Sequence, residues 1–265
     1  MFRRTFLACL TAPPSVLAGP TSSALPVIER AWFGPGERAH GHDALGIGNY
    51  PRRVHAVVRD SGQQHPVYLE LEGEAAFEDG IIRLADLDAD GSPEIVVVSA
   101  SRLAGAAITV LGVERRDGAP VLLERARSPS VGPGRWLNPV GMADFHGKGQ
   151  LDAVAVSTPH IGGVLTLYRY QPPNLVPIAH ERDVSNHAYG QVEQQLATVT
   201  TRNGRRCVAI PNQTRHRLRF LTPTLTGDWA SVAPDAVFNH PIQSVRLVEG
   251  NRLQVQSGTQ YWLLR

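Results

Sequence analysis

The chain has 265 residues, 42% of them hydrophobic and 19% charged, with a formal net charge of +2 at pH 7. That length and apolar content allow a real core in one domain. Arginine is scattered and no basic run is interleaved with aromatics, which excludes the electrostatic footprint of a nucleic-acid binder.

Residues 1–24 read MFRRTFLACLTAPPSVLAGPTSSA, with a basic start, an apolar middle and small residues at the end. This predicts an export signal peptide cut after Ala24. Arg3-Arg4-Thr5-Phe6-Leu7 resembles the core of a twin-arginine signal. The flanking Ser and Lys of that pattern are missing, so Sec and twin-arginine export both stand. Pro13-Pro14 interrupts an apolar run too short to span a bilayer, so no stable membrane span is expected. A periplasmic or secreted bacterial protein is expected, with one domain over 25–265. Cleavage removes Cys9 and leaves Cys207, so no intramolecular disulfide can form. RRCVAIP around Cys207 reads as a strand with a buried thiol.

Gly 25 and Pro 20 punctuate many short β-rich runs, the pattern of an all-β chain. LPVIERAW opens the mature chain. HDALGIG, RRVHAVVRD and PVYLELEG follow as strands, then GIIRLADL, EIVVVSAS, AAITVLGVE and PVLLERAR. A third group is PVGMADF, LDAVAVS, GVLTLYRYQ and NLVPIAHER. QQLATVTT, RCVAIPN, HRLRFLTP and DWASVAP form a fourth. IQSVRLV, RLQVQSG and YWLLR form the last.

Between the first two strands of the second group lies DLDADGSPE, with Asp86, Asp88 and Asp90 on alternate positions, then Gly91 and Glu94. Alternating carboxylates on a tight loop can converge on a hard cation, and Gly91 permits the turn. An EF-hand is excluded: loop position 12 is Val97, and the flanks read as strands. FEDGIIRLADLDADGSPEIVVVSA aligns with NPVGMADFHGKGQLDAVAVSTP. Asp144, His146, Lys148 and Asp152 then match Asp86, Asp88, Asp90 and Glu94. In QQLATVTTRNGRRCVAIPN the matching positions are Thr198 and Thr200. The Lys148 ammonium is expected where the first loop would hold its ion, or else in water.

A strand–DxDxDGxxE–strand unit resembles the FG-GAP (VCBS-type) repeat. The resemblance is firm over Phe77 to Pro159. It implies a β-propeller of about five four-stranded blades, with six as the alternative. LPVIERAW would complete the last blade and so close the ring. It also implies the ligand set Asp86, Asp88, Asp90, Glu94 and the Ser92 carbonyl. Ca2+ is favoured over magnesium for an all-oxygen cage, in a structural role.

In such a propeller the acid loops share one face. The opposite face gathers Asp43, Asp79, Arg102, Trp136, His160, Asn186 and His187 as ligand candidates. Arg and Trp offer forked donors and a stacking plane, and Asn and His offer hydrogen bonds. As surface residues, Trp136 and His160 are expected to be dispensable for stability. No GxSxG, P-loop or Rossmann motif occurs. The expected function is therefore an exported, monomeric, non-catalytic module that binds or scaffolds a protein or glycan in the cell envelope. The alternative is a polysaccharide-active enzyme using Asp43 and Asp79 as acid and base.

Overall fold

The computed structural model describes residues 25–38, 42–192 and 195–264. The expected signal peptide lies outside the described residues. The fold is all-β, and the one helical element among the described residues is the single 3-10 turn Glu249–Asn251. Among the described residues no helix is long and apolar enough to cross a membrane.

The chain begins with β1 (Val27–Phe33), a short pair β2 (Gly36–Arg38) and β3 (Tyr50–Pro51), then β4 (Arg53–Asp60) and β5 (Gln63–Glu70). Next come β6 (Ala76–Phe77), β7 (Arg83–Ala85), β8 (Glu94–Ser101), β9 (Gly105–Arg116) and β10 (Ala119–Arg127). They are followed by β11 (Leu137–Ala143), β12 (Asp152–Ser157), β13 (Val164–Gln171) and β14 (Asn174–Arg182). Then come β15 (Thr198–Arg202), β16 (Arg205–Pro211), β17 (Arg217–Pro223), β18 (Trp229–Ser231) and β19 (Ala236–Val237). The last strands are β20 (Ile242–Val248), β21 (Arg252–Ser257) and β22 (Gln260–Leu264).

These strands form antiparallel meanders in chain order. The first sheet is β1-β4-β5. A strongly curled nine-stranded sheet holds β6 to β14. Its two halves meet at one parallel pair, Arg127 and Asn174. β15 to β19 form the next sheet and β20-β21-β22 the last. Local chemistry sets the hairpins. Ser61-Gly62, Asp117-Gly118 and Asn203-Gly204 all have positive φ at both turn positions. Such two-residue turns match the twist of the strands they join.

Strand parity explains the stacking. In β8, Ile95 and Val97 pack toward Val54 and Val58 of the first sheet. Val96 and Val98 pack the other way, in one cluster with Ala153 and Ala155 of β12. Val154 and Val156 then share a cluster with Val208 and Ile210 of β16. Cys207 and Ala209 meet Val245 and Val255. Each second strand is thus buried on both faces, which is why EIVVV reads as one continuous apolar run rather than an alternating one. Cys207 is fully buried, and burial pushes its thiol up to about 11, as an inert core thiol requires.

Three expectations are corrected here. β1 pairs with β4, and β22 pairs with β21. No ladder joins β1 to β22 among the described residues, so LPVIERAW does not complete the last sheet and a closed ring of blades is not seen. LPVIERAW instead adds an apolar face, through Ile28, to the cluster under the first sheet. HDALGIG is a series of bends, because Gly46 and Gly48 take φ of 74° and 77° and Asp43 caps the backbone. Thr198 and Thr200 lie inside β15, and a two-residue turn replaces the expected loop.

Candidate functional site

The first acid loop joins β7 to β8. Asp86 holds it from within: Oδ1 accepts the Asp90 N–H at 3.1 Å and Oδ2 the Gly91 N–H at 2.9 Å. Ala89 and Gly91 take φ of 63° and 89°, so the backbone doubles back on Asp86. Asp90 Oδ1 accepts the Ser92 N–H at 2.8 Å, and Glu94 Oε2 accepts the Leu87 N–H at 2.9 Å. Ser92 Oγ donates to the Pro26 carbonyl at 2.7 Å, tying the loop to the segment just before β1.

One carboxylate oxygen from each of Asp86, Asp88 and Glu94 lies within 4.8 Å of the other two. Asp90 falls outside this group of three. Asp88 Oδ1 is buried and has no hydrogen-bond partner among the described residues. Burial raises the Asp88 carboxyl above its usual range, and the Asp90 and Asp86 charges add to the shift. Burial likewise pushes Glu94 up to about 7, with Asp88 and Asp90 adding to it. A buried acceptor with no donor, among carboxylates that repel one another, fits a hard cation with oxygen ligands.

The second loop, between β11 and β12, repeats the backbone but not the charge. Asp144 Oδ1 accepts the Lys148 N–H at 3.1 Å and Oδ2 the Gly149 N–H at 2.7 Å. These amides, Gly149 foremost, hold the Asp144 carboxyl below the usual range. Lys148 is exposed and makes no ion pair among the described residues, so of the two expected placements of its ammonium the one in water holds. The buried Asp152 instead faces Arg169 Nε at 3.2 Å and His146 Nε2 at 3.5 Å.

β12 is six residues long and separates this loop from the opposite end of the sheet. There the Thr158–His160 turn, the Arg135–Trp136 entry to β11 and the His187–Tyr189 stretch enclose a hollow of about 230 Å³, with His42 and Ile161 at its edges. Gly105 (φ +76°) brings the Trp136 loop close. A Cβ there would meet the Gly132 carbonyl oxygen at 1.9 Å, so only glycine fits. The Ala106 N–H can then bond the Arg135 carbonyl at 3.1 Å.

Hydrogen bonding fixes the histidines. His187 Nε2 lies 2.5 Å from the Gln191 carbonyl, which can only accept, so Nε2 carries the proton. His187 Nδ1 is then the acceptor for His160 Nε2–H at 2.9 Å. His160 Nδ1 is left as an acceptor. Burial, then the neighbouring His187, lowers His160 to about 4, so the relay is neutral at pH 7. Burial lowers His187 too. His42 behaves oppositely: Glu78 Oε1, fully buried, sits 2.7 Å from its Nδ1 and raises it. The Trp136 indole donates to the Glu78 carbonyl at 2.9 Å and stacks on His160 at 5.9 Å between ring centres. Tyr189 meets His160 edge-on at 5.4 Å.

The remaining candidates take other places. Trp136 is 3% exposed and belongs to the core, so it seals the floor of the hollow and is not dispensable. Asn186 backs the wall, donating to the Asn138 carbonyl at 2.8 Å. Arg102 is exposed on the β8–β9 turn, apart from the lining of the hollow. Asp79 is buried and accepts from Ile81 N–H, Val98 N–H and Arg83 at 3.0, 2.9 and 2.8 Å. Asp43 accepts from the Tyr50 hydroxyl at 2.6 Å, which holds its carboxyl below the usual range. Sequence reasoning placed Glu78 beside Asp79 on this face but missed Tyr189, which lies two residues beyond His187.

No protein-family model matches the sequence, and no curated protein matches it.

Proposed function

We propose that this protein is an exported, calcium-stabilised β-propeller of the FG-GAP or VCBS type, with about five blades. Its role is to bind a protein or glycan of the bacterial envelope without catalysis. The observation that carries the recognition role is the convergence of Trp136, His160, His187 and Tyr189. They come from three separate chain stretches into one hollow at the strand ends opposite the acid loop. Its exposed rim, Tyr189 and Ile161, is 64% and 71% accessible. An aromatic and apolar rim over fixed polar groups is the usual make-up of a recognition site on rigid loops.

The propeller reading draws support from the succession of meanders and from two loops with one backbone design. The calcium reading draws support from the buried Asp88 oxygen and the convergent Asp86, Asp88 and Glu94. Asp43 and Asp79 are engaged in structural hydrogen bonds, so a hydrolase role gains no support from them. The test is capture of partners by the mature protein from a glycan array and from envelope extract, in calcium and in chelator. Capture that survives Tyr189→Ala with Ile161→Ser would overturn the assignment of this hollow. Full-length tagged protein confined to the cytoplasm would overturn export.

A further inference from the structure

Beside the histidine hollow lies a second, central one of about 410 Å³. Arg83, Asn138, Asn186, Gln195 and Arg246 line it, with Pro139 and Val140 as an apolar wall. Past Gln195 and Arg246 it continues toward Ser244 and Gln256. Three successive sheets contribute, through the starts of β7, β11 and β15 and the middle of β20.

The charge here is one-sided. Neither part of the lining contains a carboxylate among the described residues. Arg83 is compensated, donating to Asp79 and to the Ile81 carbonyl, each at 2.8 Å. The Arg246 side chain is exposed and makes no ion pair or hydrogen bond among the described residues, leaving an uncompensated guanidinium whose fork suits a carboxylate. A second observation is independent of charge. Asn186 is 2% exposed, and its Nδ2 is used on the Asn138 carbonyl, but its Oδ1 is buried without a partner among the described residues. A buried acceptor of this kind calls for a donor. A carboxylate cannot supply one, and a hydroxyl can.

We propose that the central hollow binds an acidic saccharide, its carboxylate on Arg246 and a ring hydroxyl donating to Asn186 Oδ1. The amides of Gln195 and Gln256 both donate and accept, as hydroxyls do. Pro139 and Val140 offer an apolar surface to a ring face. An acidic peptide would satisfy Arg246 but brings no ring of hydroxyl donors. The inference rests on the reading of this end of the fold as a recognition face, and it names the ligand class.

Calorimetry on the full mature chain tests it, with trigalacturonate, its methyl ester and triglutamate as probes. Trigalacturonate is expected to bind at least about tenfold more tightly than the ester, which keeps the hydroxyls and loses the charge. Arg246→Gln, at an exposed position without partners, should remove that difference and leave the melting temperature unchanged. Tyr189→Ala, in the neighbouring hollow, should leave trigalacturonate affinity as it is. Equal binding of acid and ester, binding that Arg246→Gln does not weaken, or triglutamate binding as tightly as the sugar each overturns the proposal. So does an absence of trigalacturonate binding. If Tyr189→Ala then still abolishes envelope capture, the recognition face survives and only the acidic-saccharide assignment falls.

Discussion

Arg169 stands beside Asp152, Nε to Oδ1 at 3.2 Å, at the cross-strand position where the first acid loop has Gly112 next to Glu94. The two loops therefore differ in what faces the same carboxylate position. The second carries its cation on β13. The first has a glycine there, and a Cβ on Gly112 would meet Arg125 Cγ at 2.7 Å. A guanidinium at this position pairs with the buried carboxylate of the second loop, whereas the glycine leaves Glu94 within the three-carboxylate cluster of the first.

A restoration experiment follows. His146→Asp with Lys148→Asp recovers the alternating acidic pattern but leaves Arg169 on Asp152. Calorimetry is expected to find no added calcium site in that double variant. Adding Arg169→Gly should create one further site. A new site in the double variant would show that Arg169 does not control the loop.

Calcium is expected to raise the melting temperature at millimolar concentration, the affinity range of extracellular modules. At a hundredfold excess over Kd the gain is about 2.7 kcal/mol. Asp88→Asn should abolish the response. In chelator the same variant should melt at or above the parent, because it removes one of three crowded carboxylates from a site where burial already disfavours its charge. Identical melting of the parent in calcium and chelator would mean that no ion stabilises the loop.

The rim and floor of the histidine hollow should separate in mutagenesis. Trp136→Ala empties a core position and is expected to cost about 3–5 kcal/mol. Tyr189→Ala and Ile161→Ser change exposed side chains and should leave stability within about 0.5 kcal/mol. Thermal melts beside capture assays check this. An unchanged melting temperature for Trp136→Ala would remove it from the core.

His160 and His42 give opposite pH dependences. The folded pKa of His160 is lowered to about 4 by burial. Below its ordinary value of about 6.5 the unfolded chain takes up a proton that the fold refuses. Stability is therefore lost as pH falls from about 6.5 to 4, and His160→Gln should flatten that loss. His42 is raised by Glu78, so its contribution is present below about 6.5 and fades as pH rises through the folded pKa. His42→Gln should remove it. Parent-minus-variant differences in melting temperature across this range read each term, since the Glu94 titration is common to both and cancels.

Which segments become strands was legible in the sequence, because strand formation follows local periodicity and the turn chemistry of pairs such as Asp117-Gly118. The acid loop was legible for the same reason: Asp86 and Gly91 shape it from within six residues. The partners of these segments were not. LPVIERAW has no local mark that assigns it to the first sheet rather than the last, since only its packing against Val54 and Phe77 decides that. Lys148 was the nearest cation in sequence, but the register of β12 against β13 delivers Arg169 to Asp152. The meeting of Trp136, His160 and His187, and the exposure of an unpaired Arg246 beside Asn186, belong to the tertiary structure alone. Side chains as far apart in sequence as Arg83 and Arg246 line one hollow only because stacked sheets bring their strand ends together.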